Sequence, residues 1–119
     1  GKGWESRAYA HSKLANGLYS LELARRLRGT AATSNCLTPG AVHTAIFDGF
    51  AQPVKREAKT AAEGAATQCY VATSPALREV TGAYFKDCNP SAQSPDQQDA
   101  RMAARLWDVS EQLTRAYLA

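Results

Sequence analysis

The 119-residue sequence has little charge imbalance, few cysteines and no long apolar run. Each shortage excludes something. Fourteen Lys and Arg against 11 Asp and Glu leave a net charge of only +3. The basic residues are scattered, and the densest cluster, Arg25-Arg26-Leu27-Arg28, falls near the end of a predicted helix, where cations complement the negative end of the helix dipole. A nucleic-acid partner is therefore not expected. Cys36, Cys69 and Cys88 lie far apart. They form no Cys-x-x-Cys and no zinc-type spacing, and an odd count argues against a disulfide framework. A reducing, cytoplasmic compartment is the expectation. No stretch approaches the roughly 20 apolar residues of a membrane span, and Gly1-Lys2-Gly3-Trp4-Glu5 lacks the apolar centre of a signal peptide. The eight glycines build no Gly-rich strand-to-helix turn, so no cradle for a dinucleotide phosphate is encoded. Hydrophobic residues at 45% and charged residues at 21% suit one small globular domain.

The pattern that is present alternates helices and strands. Leu14, Leu18, Leu21 and Ala24, widened by Leu23 and Leu27, predict a helix over 8–28. Gly29 stands where a left-handed cap is expected. Residues 31–38 are short and uncharged and read as a strand buried on both faces, stopped by Pro39-Gly40. Thr60 and Glu63 form a capping-box signature for a helix over 60–73, ended by Ser74-Pro75. Residues 82–87 read as a second strand and 87–96 as loop. A last helix starts near Gln97, with Met102, Leu106, Val109, Leu113 and Tyr117 on one face and Trp107 packing beside them. Two strands joined through a helix predict a parallel, right-handed crossover unit. The strands at 31–38 and 82–87 should be neighbours, with the first helix and the helix over 60–73 on opposite faces. Two interior-type strands do not finish a sheet, so the chain reads as part of an α/β domain.

The chemistry concentrates at Tyr9-Ala10-His11-Ser12-Lys13. Residues four apart share a helix face, so Tyr9 and Lys13 are neighbours. An ammonium beside a phenol stabilises the phenolate and makes the hydroxyl a better proton donor and acceptor near neutrality. Interconversion of an alcohol and a carbonyl compound needs such a group. The pair alone is also an ordinary surface pair. His11 and His43 have no partnered acid in sequence and read as surface or loop histidines, and Cys36 and Cys69 read as small core residues.

Thr38-Pro39-Gly40-Ala41-Val42-His43-Thr44 supplies the context. Tyr9, Ser12 and Lys13 on a long helix, followed by Pro39, Gly40, Val42 and Thr44 after a strand, resemble the short-chain dehydrogenase/reductase family. Ser12-Lys13-Leu14-Ala15-Asn16 and Glu22-Leu23-Ala24-Arg25-Arg26-Leu27 look most like its retinol dehydrogenase-like branch, and the resemblance runs from about residue 6 to Asn89. It implies the C-terminal portion of a Rossmann-type, doubly wound parallel sheet, with 1–119 as one part of a single oxidoreductase domain. By the resemblance Tyr9 is the general acid/base, and Lys13 activates it and holds the nicotinamide ribose. Pro39, Gly40, Val42 and Thr44 form the loop that meets the nicotinamide carboxamide and the cofactor phosphates. Residues 46–59 cover the substrate. The cofactor is NADP or NAD, with NADP favoured by the branch, and the substrate is a small alcohol or carbonyl compound. The family's serine and asparagine precede its tyrosine and would fall before Gly1. The expected partner is therefore the N-terminal half of the same fold, with a homo-oligomer as a further option. The alternative is a catalytically silent fragment that serves as an interaction module.

Overall fold

The computed structural model describes residues 2–44 and 58–117. Their order is α1 (Lys2–Arg26), β1 (Cys36–Thr38), α2 (Ala61–Thr73), β2 (Tyr84–Lys86), β3 (Asn89–Pro90) and α3 (Ala100–Thr114). Short 3₁₀ turns occupy Pro75–Leu77, Pro95–Gln98 and Arg115–Tyr117. The expected loop over 46–59 falls outside the described residues apart from its end at 58–59.

β1 and β2 are parallel neighbours, with Cys36 beside Tyr84, Leu37 beside Phe85 and Thr38 beside Lys86. The helix between them, α2, opens on the expected capping box. Thr60 accepts a hydrogen bond from the Glu63 backbone N–H, and the Glu63 carboxylate accepts one from the Thr60 N–H. Side chains alternate faces along a strand, so Leu37 and Phe85 share one face and Cys36 takes the other. Phe85 meets the Tyr70 ring of α2 edge-on at 6.1 Å. The Cys36 thiol meets Ser20 of α1 and Gln93. The two helices therefore flank the sheet on opposite faces, as the periodicity predicts.

Several boundaries differ from the sequence reading. The helix read as 8–28 begins at Lys2 and ends at Arg26, and Gly29 then takes the left-handed conformation at φ +83°. The strand read as 31–38 narrows to Cys36–Thr38 because side-chain hydrogen bonds interrupt the ladder before it, where one backbone bond, from Gly82 N–H to the Ser34 carbonyl, remains. Asn35 donates to the Val80 carbonyl at 2.7 Å and accepts from Ala83 N–H at 3.0 Å, while Ser34 N–H goes to the Thr81 hydroxyl. Ser and Asn compete for backbone partners in this way. β1 is half-buried rather than buried, since it stands at the edge of the order β1-β2-β3.

Residues 87–96 are not simply loop. Asp87 and Cys88 take φ of 52° and 57°, both in the left-handed region that a two-residue hairpin turn requires. The chain then returns antiparallel as β3. Pro90 is tolerated there because an edge position needs no N–H from it.

α3 packs on α1. Tyr19 stacks on Trp107 with ring centroids 4.9 Å apart, and the Arg26 guanidinium lies 4.5 Å from the Trp107 ring centroid. Ala103 is fully buried, whereas Met102, Val109, Leu113 and Tyr117 are exposed. The apolar face read from the sequence is thus rotated away from the contact. Cys69 is exposed and Cys36 half-buried, so neither is a core residue. Leu18 and Ala24 are buried in α1 as expected.

Glu22 is the buried charge of this interface. Its side chain is 2% exposed and accepts from Arg25 at 2.6 and 2.8 Å and from Arg26 at 2.8 Å. The hydrogen bond from Arg25 leads in pulling the carboxyl from 4.5 down to about 2, against the opposing effect of burial. A depressed carboxyl stabilises the fold above its ordinary value, and that contribution is lost as pH falls from 4.5 toward 2. Both arginines are partly solvated, so Glu22→Gln should cost about 1–2 kcal/mol at neutral pH. Thermal unfolding of both forms across pH should show that gap above pH 5 and its closure near pH 2.

Candidate active site

Tyr9 lies about two turns inside α1, rather than at its first turn, because the helix extends back to Lys2. Its side chain is 62% exposed. Lys13, one turn on, holds its ammonium 5.3 Å from the centre of the Tyr9 ring. The Ser12 hydroxyl donates to the Tyr9 backbone carbonyl at 2.7 Å, so it is committed to the helix rather than to the phenol. Tyr9 and Lys13 are brought together as the spacing predicts.

The second group follows β1. The Thr38 hydroxyl accepts from Gly40 N–H at 3.2 Å, and Gly40 sits at φ +79°, a conformation that glycine adopts without strain. Val42 then forms an isolated parallel bridge with Lys59. His43 N–H donates to the Lys59 carbonyl at 2.8 Å, and Lys59 N–H donates to the Ala41 carbonyl at 2.9 Å. Backbone groups alternate sides along an extended segment. The N–H and C=O of Val42 consequently point away from Lys59, side by side on an edge that is unpaired among the described residues. The Val42 side chain rests on Gly64 of α2, where an added Cβ would come within 2.6 Å of it. That close approach fixes the height of the segment above the helix.

The two groups occupy the same end of the sheet. Ser20 lies beside Ser34 and Cys36, while Ala24 lies beside Gly82, before the start of β2. Moving toward the N-terminus of α1 therefore moves toward the carboxyl ends of β1 and β2. Tyr9 precedes Ser20 by 11 residues, about 16 Å of helix, and Pro39 follows directly on β1. Ligands of open α/β sheets bind outside the carboxyl ends of the strands. Among the described residues no hydrogen bond joins Tyr9 or Lys13 to the 39–44 segment; the topology alone places them at one end. Thr44 is half-buried, and His11 and His43 are exposed. No group of three or more metal-ligating side chains occurs among the described residues, and no described helix is long and apolar enough to cross a membrane.

Comparison with known proteins gives this geometry a family. The chain is 41% identical to human retinol dehydrogenase 14 over 117 residues, which cover 90% of the chain and 35% of that protein. It is 40% identical to the chloroplastic short-chain dehydrogenase TIC 32 A of Brassica napus over 121 residues, 94% of the chain and 38% of the relative. Human retinol dehydrogenase 12 is 39% identical over 112 residues, 89% of the chain and 35% of the relative. The chain belongs to the short-chain dehydrogenases/reductases. Within them it is retinol dehydrogenase-like. It spans little more than a third of the length of these curated relatives. No family model matches it. Membership implies a Rossmann-like α/β fold, and three helices around a small mixed sheet suit part of such a domain.

Sequence reasoning missed Lys59. A lysine before a capping box carries no motif, and only the folded chain shows it beside Pro39.

Proposed function

We propose that this segment is the catalytic-tyrosine half of an NAD(P)-dependent oxidoreductase that interconverts an alcohol and a carbonyl compound. What supports the reading is the topology, which puts the Tyr9–Lys13 pair and the Pro39–Thr44 segment toward the same end of the sheet. A nicotinamide group fits the residues present. The free edge of Val42 offers one donor and one acceptor side by side, the complement of a primary amide such as the nicotinamide carboxamide. Pro39, Gly40 and Thr44 complete that wall, and Lys13 would hold the ribose. When bound, the nicotinamide supplies the hydride-transfer chemistry.

The chain's own residues manage the proton. Tyr9, exposed at the carboxyl end, gives its hydroxyl proton to a carbonyl oxygen during reduction and takes one from an alcohol during oxidation. Lys13 stands one helical turn on, its ammonium 5.3 Å from the centre of the Tyr9 ring. The phosphate cradle and the partner for the outer edge of β1 would come from the N-terminal half of the same domain, so this segment alone should not turn over substrate. The assay is nicotinamide-dependent interconversion of an alcohol and an aldehyde or ketone by the complete polypeptide, with Tyr9→Phe as the variant that abolishes it. A second reading, a catalytically silent interaction module, is favoured by one feature, the exposed Met102, Val109, Leu113 and Tyr117 stripe of α3. Turnover that needs Tyr9 decides against it.

A further inference from the structure

Lys59 touches the 39–44 segment at three points. Its ammonium donates to the Pro39 carbonyl at 3.0 Å. Its backbone N–H donates to the Ala41 carbonyl, and its carbonyl accepts from His43 N–H. The same ammonium pairs with the Asp87 carboxylate, and that pairing holds the Asp87 carboxyl below its ordinary range. Asp87 is itself held in place. It occupies the left-handed turn between β2 and β3, and the next residue, Cys88, donates its N–H to the Thr67 hydroxyl of α2 at 3.2 Å. Thr67 is 1% exposed. A continuous path thus runs from the buried Thr67 through the hairpin turn and Lys59 to Pro39, Ala41 and His43. Val42, whose N–H and C=O have no partner among the described residues, lies at the centre of what Lys59 grips.

We propose that Lys59 is a positioning residue for nicotinamide cofactor binding, and that Asp87 anchors its ammonium so that the free edge of Val42 is held ready for the carboxamide. The proposal rests on the oxidoreductase reading above and adds to it a residue and a division of labour. The Lys59 backbone sets the direction of the edge. Its side chain sets the distance between Pro39 and the β2–β3 turn. Lys59 and Asp87 act on the 39–44 segment, so the effect falls on cofactor affinity rather than on the proton transfer at Tyr9.

The test uses the complete polypeptide. Lys59→Met keeps the aliphatic stem and removes the charge, and with it the tether to Pro39 and Asp87 that steadies the backbone bridge. It should raise KM for NADPH or NADH roughly tenfold, the size of one charge-assisted hydrogen bond, while kcat at saturating cofactor falls less than twofold. Lys59→Arg should restore most of the loss. Asp87→Asn tolerates the left-handed turn and guards against a folding defect at position 59. It should raise KM in the same direction by a smaller factor. Combining it with Lys59→Met should add little, because both remove one coupled interaction. Amide exchange at His43 should quicken in Lys59→Met while the amides of β1 keep their protection. Normal cofactor KM and unchanged His43 exchange in Lys59→Met and Asp87→Asn overturn the proposal and leave the oxidoreductase reading standing. A wild-type polypeptide that binds neither NADPH nor NADH overturns that reading and the proposal with it.

Discussion

Tyr9→Phe in the complete polypeptide should lower kcat at least about a hundredfold, the usual contribution of a positioned general acid/base. The substitution removes one hydroxyl and keeps the ring over which the Lys13 ammonium sits at 5.3 Å. The Tyr9 side chain is 62% exposed, so packing barely changes, and stability should stay within about 0.5 kcal/mol of wild type. Cofactor affinity should also hold, because Lys13 and the 39–44 segment are intact. Steady-state kinetics and a thermal melt on the same preparation separate these outcomes. A variant that keeps near-wild-type kcat removes Tyr9 from the chemistry. One that loses activity and stability together gives Tyr9 a structural role instead.

Phe85→Ala should do the reverse. Phe85 is fully buried at the centre of β2, beside Leu37 on β1 and Pro90 on β3, with the Tyr70 ring of α2 against its edge. It joins all three strands to α2. Truncating a buried Phe to Ala costs about 3–5 kcal/mol, a large share of the roughly 5–15 kcal/mol that stabilises an ordinary domain. The loss should appear as a lower denaturant midpoint with an unchanged slope. A loss under about 1 kcal/mol would show that β2 does not carry the core. The register of Lys59 on Asp87 depends on β2, so a destabilised β2 should also weaken cofactor binding, whereas Tyr9→Phe should not.

Much of this arrangement was legible in the chain. Thr60 and Glu63 announced α2 because a capping box is a local device whose two hydrogen bonds close within four residues. The parallel pairing of β1 and β2 followed from a strand-helix-strand order, and Tyr9 met Lys13 because helical spacing alone brings them together. The misses share a physical cause, that the deciding interaction is distant in sequence. Ser34 and Asn35 leave the strand pattern because Thr81, Val80 and Ala83, more than 40 residues on, take their hydrogen bonds. Asp87 and Cys88 form a hairpin turn without glycine or asparagine, the residues that usually mark one, and the Cys88 N–H is secured by Thr67. Met102, Val109, Leu113 and Tyr117 have the spacing of a buried stripe, yet Ala103 faces α1; periodicity gives the width of an apolar face and not which side of it meets the neighbour. The Lys59 contact with Pro39 and Asp87 spans 20 and 28 residues.

The central claim is that Tyr9, Lys13 and the 39–44 segment surround one nicotinamide. The most direct measurement is a crystal structure of the complete polypeptide with NADPH or NADH bound. The account predicts the carboxamide on the N–H and C=O of Val42, the Lys13 ammonium on the nicotinamide ribose, and the Tyr9 hydroxyl facing the reactive face of the ring. A nicotinamide bound elsewhere, or a Val42 edge occupied by protein while the cofactor is in place, would contradict it.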